Sequence, residues 1–91
     1  ICGNDDTAAV LMGTFAKLSV SVPDDVRIIG FDDVRYAQHL SVPLTTLKQP
    51  CKDLGNLAVD TMLARLKIPS LPPMTVMLQG SLVTRKSCGC I

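Results

Sequence analysis

VRIIGFDD, at residues 26–33, is the stretch that decides the fold. Its first six residues are β-branched or apolar almost throughout, a pattern typical of a buried strand in a parallel sheet. Asp32 and Asp33 then end the apolar run abruptly. The stretch therefore predicts a covered β-strand with two carboxylates at its carboxyl end.

Strand and helix patterns alternate on both sides of this stretch. Upstream, residues 1–3 fit the end of a strand, residues 4–7 are turn and capping residues, and a helix with one apolar face runs to about Leu18. Downstream, the patterns predict a helical turn at the start of residues 34–43, a strand or extended crossing at 44–49, a helix from Pro50 to about Leu66, a loop at 68–73, and strands at 74–78 and 81–86. This alternation implies parallel pairing with right-handed crossovers, and hence an α/β fold.

The composition is apolar for so short a chain. Of the 91 residues 47% are hydrophobic, and the mean hydropathy is +0.34. A domain of this size has little interior, so the surplus predicts burial against a partner subunit or the rest of a longer chain. The net charge is +1 and the aromatic fraction 3%, with no basic stripe, which argues against a DNA-contacting surface within these residues. No apolar run approaches the length of a membrane span.

The four cysteines do not form a metal-site pattern. Four-ligand sites usually combine two close pairs, whereas here only Cys88 and Cys90 are close, and His39 is the lone histidine. The spacing also differs from that of small disulfide-bonded secreted domains. We therefore expect four reduced thiols in a cytosolic protein, with no metal and no cofactor.

Two polar clusters follow the first two strands, Asn4-Asp5-Asp6 and Asp32-Asp33. Ligands of open parallel sheets bind beyond the carboxyl ends of the strands, where neighbouring strands bring such clusters together. Amide and carboxylate groups suit a ligand with several hydroxyl groups, such as a sugar or a ribose. The alternative is that these residues cap helices and form turns. We favour that alternative for Asp6, as a cap, and for Asp33, as a turn residue.

Catalysis is not predicted. His39 lies in an expected surface loop, and the carboxylates have no evident oxyanion or metal partner. The six glycines are isolated, so no phosphate-binding loop is present in the sequence.

Four motifs, in order and in register, resemble the effector-binding domain of LacI/GalR-type transcription repressors. They are ICGNDDTA at residues 1–8, VPDDV at 22–26 leading into IGFDD at 29–33, PLTTLKQP at 43–50 with Leu54-Gly55 after it, and LVTRKS at 82–87. The resemblance implies parallel-sheet lobes of a periplasmic-binding-protein-like type I fold, incomplete in this chain. It assigns residues 1–48 to the C-terminal subdomain, 49–79 to a segment crossing to the N-terminal subdomain, and 80–91 to a return strand and tail.

The resemblance also implies roles for individual residues. Asn4 and Asp32 match positions that hydrogen-bond effector hydroxyls, and Gln49 matches a position at the lobe crossing that can face the cleft. The implied dimer interface consists of Ala9, Val10, Gly13, Leu40 and Ser41. The sequence departs from the family pattern at Ser19, where a glycine usually ends the first helix, and at Cys51, where bulkier residues can line the cleft.

The function implied is effector sensing by a cytoplasmic transcription repressor. A sugar-like or nucleoside-like effector would bind in a cleft and alter operator affinity, with no chemistry done on it. Operator DNA would be bound through an N-terminal domain absent from this chain, and the protein would be a homodimer without membrane contact. The alternative is a periplasmic sugar-binding protein of a transporter, which the cytosolic-looking cysteines and the crossing at 45–50 disfavour.

Overall fold

The computed structural model describes residues 1–90 and consists of two helices, three short strands and two 3-10 turns. In chain order these are helix α1 (Asp5–Lys17), strand β1 (Ile29–Asp32), a 3-10 turn (Arg35–His39), strand β2 (Thr45–Lys48), helix α2 (Cys51–Lys67), strand β3 (Ser81–Val83) and a second 3-10 turn (Lys86–Cys88). They form two compact units. Unit one comprises residues 1–49 with the segment from Ser81 onwards, and unit two comprises Pro50–Gly80.

The sheet belongs to unit one and has the strand order β1-β2-β3. β1 and β2 run parallel, with Ile29 opposite Thr45 and Asp32 opposite Lys48. The parallel pairing expected from the sequence is therefore confirmed for these two strands. β3 pairs with β2 in the antiparallel direction, Ser81 lying opposite Lys48. The sheet is mixed because β3 starts beside the carboxyl end of β2 and returns along it.

Helix α1 begins at the polar cluster that precedes it. Asn4 is the N-cap residue, and its Oδ1 accepts a hydrogen bond of 2.8 Å from the Thr7 backbone N–H. The cap is therefore not Asp6, which the sequence favours for this role, but a residue two positions earlier. An asparagine with extended backbone satisfies a free N–H of the first turn equally well. Asp6, exposed in that first turn, contributes through its charge near the positive end of the helix dipole.

The core of unit one lies between α1 and the sheet. Its fully or nearly buried members are apolar or small: Cys2, Ala8, Met12, Ile28, Ala37 and Leu44. Ala8 and Met12 are one helical turn apart, so they face the sheet from the same side of α1. This confirms the apolar helix face that the sequence predicts.

Four predicted strands are shorter than expected or missing, and one of them is the strand predicted at 81–86, which ends at Val83. Residues 26–28 precede β1 rather than belong to it, because the Ile28 N–H donates to the Ser87 carbonyl (2.9 Å). Residues 1–3 form no strand, although the Cys2 N–H donates to the Ile29 carbonyl (2.8 Å). Residues 74–78 also form no strand, and Met77 is 90% exposed. A β-strand is defined by hydrogen bonds to a neighbouring strand, and within Pro50–Gly80 there is no strand with which residues 74–78 could pair.

In unit two, α2 confirms the predicted helix from Pro50, which is its N-cap residue. None of its residues is buried. Beyond the helix, the Arg65 guanidinium donates to the carbonyl groups of Leu71 (3.0 Å) and Pro72 (2.9 Å) and so fixes the following loop. Among the described residues, neither helix combines the length and hydropathy needed to cross a membrane.

Candidate ligand-binding site

Asp32 and Gln49 lie at the same edge of the sheet. Asp32 is the last residue of β1, and Gln49 comes directly after Lys48, its register partner at the end of β2. Gln49 Nε2 donates a hydrogen bond of 2.6 Å to Asp32 Oδ1, and both residues are half-buried. Gln49 thereby fixes Oδ1 of the carboxylate and makes no hydrogen bond to Oδ2. The sheet brings together two of the three residues for which the sequence predicts ligand contacts.

The backbone bends sharply where β1 ends. Asp32 has φ 119° and Asp33 has φ 54°, both in the left-handed region that favours glycine. A non-glycine residue held there costs on the order of 1–3 kcal/mol, and such residues cluster at binding sites. Two consecutive residues with this geometry must therefore be held by strong local contacts.

Asp33 provides part of this anchoring. Its carboxylate forms an ion pair with Arg85, at 2.8 Å between Oδ1 and Nη2, and its N–H lies 3.3 Å from the Thr46 hydroxyl. Arg85 also donates to the Leu44 carbonyl at 2.9 Å. Asp33 is therefore bound by residues of unit one, which agrees with its predicted role as a turn residue. No local pattern in the sequence pointed to Arg85, which lies 52 positions away.

Asp5 provides the rest of the anchoring of this bend, a role that the sequence does not predict. This carboxylate is fully buried. Its Oδ1 accepts a 2.6 Å hydrogen bond from the Thr46 hydroxyl, and its Oδ2 accepts one of 2.9 Å from the Val34 N–H. A Cβ at Gly30 would overlap the carboxylate, so glycine is needed there. Asp5 thus joins the start of α1 to β2 and to the turn after β1, with both oxygens occupied.

Asn4 is exposed and shares no hydrogen bond with Asp32 among the described residues. Its carbonyl oxygen is used by the helix cap. The Nδ2 group remains as its donor, so the cap does not prevent contact with a ligand oxygen.

The predicted dimer-interface residues differ in accessibility. On α1, Val10 is 71% exposed, and a Cβ at Gly13 would meet nothing within 4 Å. Ala9 is half-buried. Leu40 packs partly against the core of unit one, whereas Ser41 is exposed.

Within residues 1–90, no group of three or more His, Cys, Asp or Glu side chains is placed to hold a metal ion. His39 is exposed at the end of the first 3-10 turn. The arrangement at the end of β1 suits hydrogen bonding to a polar ligand, with Asp32 as the accepting group.

Known proteins resemble this chain along nearly its whole length. The family described as periplasmic binding protein-like domain matches residues 1–88. The HTH-type transcriptional repressor PurR of Photobacterium profundum is 38% identical over 86 residues, which are 94% of this chain and 26% of that repressor. The chain thus spans about a quarter of the length of that curated relative.

Two solved structures show the same fold. One is a LacI family transcriptional regulator from Enterococcus faecalis V583 with bound ribose, at a TM-score of 0.83 and 33% identity, covering 92% of this chain and 32% of that one. The other is the lac repressor dimer bound to operator and the anti-inducer ONPF, at a TM-score of 0.83 and 31% identity, covering 94% of this chain and 26% of that one.

Proposed function

Because this chain belongs to the periplasmic binding protein-like domain family, in the form found in LacI-family regulators, we propose that it contributes ligand contacts to the effector-binding domain of a transcription repressor. The observation that carries the proposal is the Asp32 carboxylate, held by Gln49 at the carboxyl end of β1 on a strained backbone. Ligands of open α/β sheets bind at this end of the strands.

Asp32 is the main contact in this proposal. A carboxylate with one oxygen fixed can accept charge-assisted hydrogen bonds from two adjacent ligand hydroxyls. Gln49 orients the carboxylate and offers its own amide oxygen to the ligand. Asn4 is the second contact, through its Nδ2 group. The combination suits a sugar or the ribose of a nucleoside, and the regulator from Enterococcus faecalis contains ribose.

Effector binding would alter operator affinity by favouring one of two arrangements of the whole protein. The repressor would bind operator DNA in the cytoplasm through a DNA-binding domain outside this chain, as a homodimer that uses the face of Ala9, Val10 and Gly13 with Leu40 and Ser41. A dimer on operator is the assembly of the lac repressor structure. The relative from Photobacterium profundum is a repressor, which favours this function over that of a transporter's binding protein.

The test uses the full-length protein that contains this chain. A thermal-shift panel of pentoses, hexoses, disaccharides and nucleosides selects the ligand, and calorimetry then measures its affinity for Asp32→Ala. Loss of a charged hydrogen-bonding partner costs on the order of 2–5 kcal/mol, so affinity should fall about 30-fold or more. Operator binding without ligand should be unchanged.

Asp24→Ala is the matched control, because Asp24 is an exposed acid in the turn before β1. It should retain wild-type affinity. Wild-type affinity in Asp32→Ala, or no ligand in the panel, would contradict the proposal.

A further inference from the structure

The segment Cys88-Gly89-Cys90 turns back on itself, so that the Cys90 thiol contacts the backbone of Cys88. The 3-10 turn of Lys86–Cys88 ends at Gly89, whose φ of 71° lies in the left-handed region and whose N–H donates to the Lys86 carbonyl at 3.0 Å. This reversal places Cys90 Sγ 3.7 Å from the Cys88 carbonyl oxygen. The two cysteines are therefore neighbours in space as well as in sequence.

Cys88 is held firmly, whereas Cys90 is open to solvent. Ser87, the residue before Cys88, is fully buried. Its hydroxyl donates to the Ile28 carbonyl (2.7 Å) and accepts from the Thr45 N–H (2.8 Å). Cys88 is 5% exposed, with Sγ 3.5 Å from the Arg85 carbonyl oxygen, and Cys90 is exposed. The pair thus combines a fixed sulfur with an accessible one.

The surroundings favour a thiolate on the fixed sulfur. The neighbouring Thr45 hydroxyl, and after it the Cys90 thiol, lower the pKa of Cys88. The Cys88 thiol and partial burial raise the pKa of Cys90, against an opposing effect of Arg27. At neutral pH the more readily ionised member of the pair is therefore the buried one. A thiolate is the nucleophile in disulfide exchange.

We propose that Cys88 and Cys90 are a redox-active dithiol that closes to an intrachain disulfide on reaction with a low-molecular-weight disulfide such as oxidised glutathione. In the first step Cys90 attacks, because it is the one of the two sulfurs that is exposed to oxidised glutathione. Its thiol loses a proton to water, the resulting thiolate bonds to one glutathione sulfur, and the S–S bond breaks and releases one glutathione thiolate. In the second step the Cys88 thiolate attacks the Cys90 sulfur, and the second glutathione leaves. The dithiol is oxidised by two electrons, and one oxidised glutathione becomes two glutathione thiols.

This site is separate from the proposed ligand site. Ser87 binds Ile28 and Thr45, at the amino ends of β1 and β2, whereas Asp32 and Gln49 lie at the carboxyl ends of those strands. Oxidation of the pair and binding of an effector can therefore succeed or fail independently.

The experiment equilibrates the dilute reduced protein with mixtures of reduced and oxidised glutathione, blocks remaining thiols with an alkylating agent, and measures masses before and after trypsin digestion. We expect the peptide that carries both cysteines to lose two hydrogens, without an alkyl group or bound glutathione. Cys88→Ser should instead accumulate glutathione on Cys90, because the attacking sulfur of the second step is gone. Gly89→Ala should lower the disulfide yield, because alanine is strained at this φ and its Cβ would lie 3.1 Å from Arg27 Nε.

Cys51→Ser is the matched control, since Cys51 is exposed but stands alone, and it should leave the disulfide yield unchanged. Circular dichroism checks that each variant is folded. The proposal is overturned if Cys88 and Cys90 stay as two thiols, or as two glutathione adducts, across the glutathione series. It is equally overturned if the disulfide that forms joins Cys51 or a second chain.

Discussion

At the scale of single residues, the sequence predicts where a functional group stands better than what it does. Asp32 and Gln49 were expected at the carboxyl ends of two strands, and the structure joins them by a hydrogen bond. Asp5 stands in the same kind of position, yet it is the buried link between α1, β2 and the turn after β1. An aspartate at a helix start usually caps that helix, and its partners Thr46 and Val34 are too distant in sequence to signal another role.

Asp5→Ala should therefore destabilise the protein more than other changes in the same helical turn. It leaves the buried Thr46 hydroxyl and the partly buried Val34 N–H without their acceptor, and hydrogen bonds to charged groups contribute about 1.5–3 kcal/mol each. We expect the free energy of unfolding to fall by about 3 kcal/mol or more in urea titrations. Asp6→Ala, which removes an exposed acid next in sequence, should cost less than about 1 kcal/mol. Equal losses in the two variants would show that Asp5 has no special structural role.

At the scale of elements, the two helices and strand β2 were predicted closely, and the other strands were not. Helix patterns depend on local spacing, so α1 and α2 follow from the sequence. Strand limits depend on pairing, which the sequence does not show. Residues 26–28 have the apolar character of a strand, but Ile28 bonds to Ser87, 59 positions further on. Residues 74–78 have the right alternation and no strand beside them within their unit.

The end of α1 gives a prediction at this scale. Ser19 has φ 57°, a left-handed conformation that follows the helix and that glycine adopts without strain. It is also the position where the family resemblance expects glycine. Ser19→Gly should raise the free energy of unfolding by about 0.5–1 kcal/mol, because the strain relieved exceeds the added freedom of the unfolded chain. Urea or thermal unfolding measures the change.

Ser21→Gly is the matched control for this prediction. Ser21 is exposed in the same loop and does not have a left-handed backbone conformation. Glycine there adds conformational freedom to the unfolded chain and relieves no backbone strain in the folded one. We expect this control to be neutral or slightly destabilising. A destabilised Ser19→Gly would mean that the serine contributes something the backbone angle does not explain.

At the scale of the whole molecule, the apolar composition reappears as exposed apolar surface. On α2, Val59, Met62, Leu63 and Leu66 are all more than half exposed. In unit one, by contrast, the buried residues form a single core cluster beside the sheet. The composition alone predicts this surplus of apolar residues, but it does not predict which element carries it. A helix with apolar residues has the same sequence pattern whether or not something covers it.

The 91-residue chain should therefore self-associate. Leaving a Leu or Met side chain in water forfeits about 1.5–3 kcal/mol relative to burying it, and several such residues exceed what a marginal domain can spare. Sedimentation at about tens of micromolar should detect a dimer or larger species. Met62→Glu combined with Leu66→Glu should shift it towards monomer if α2 forms the contact, and Val10→Lys should do so if the contact is the α1 face. A cooperatively unfolding monomer of the unaltered chain at this concentration would show that these exposed side chains need no partner.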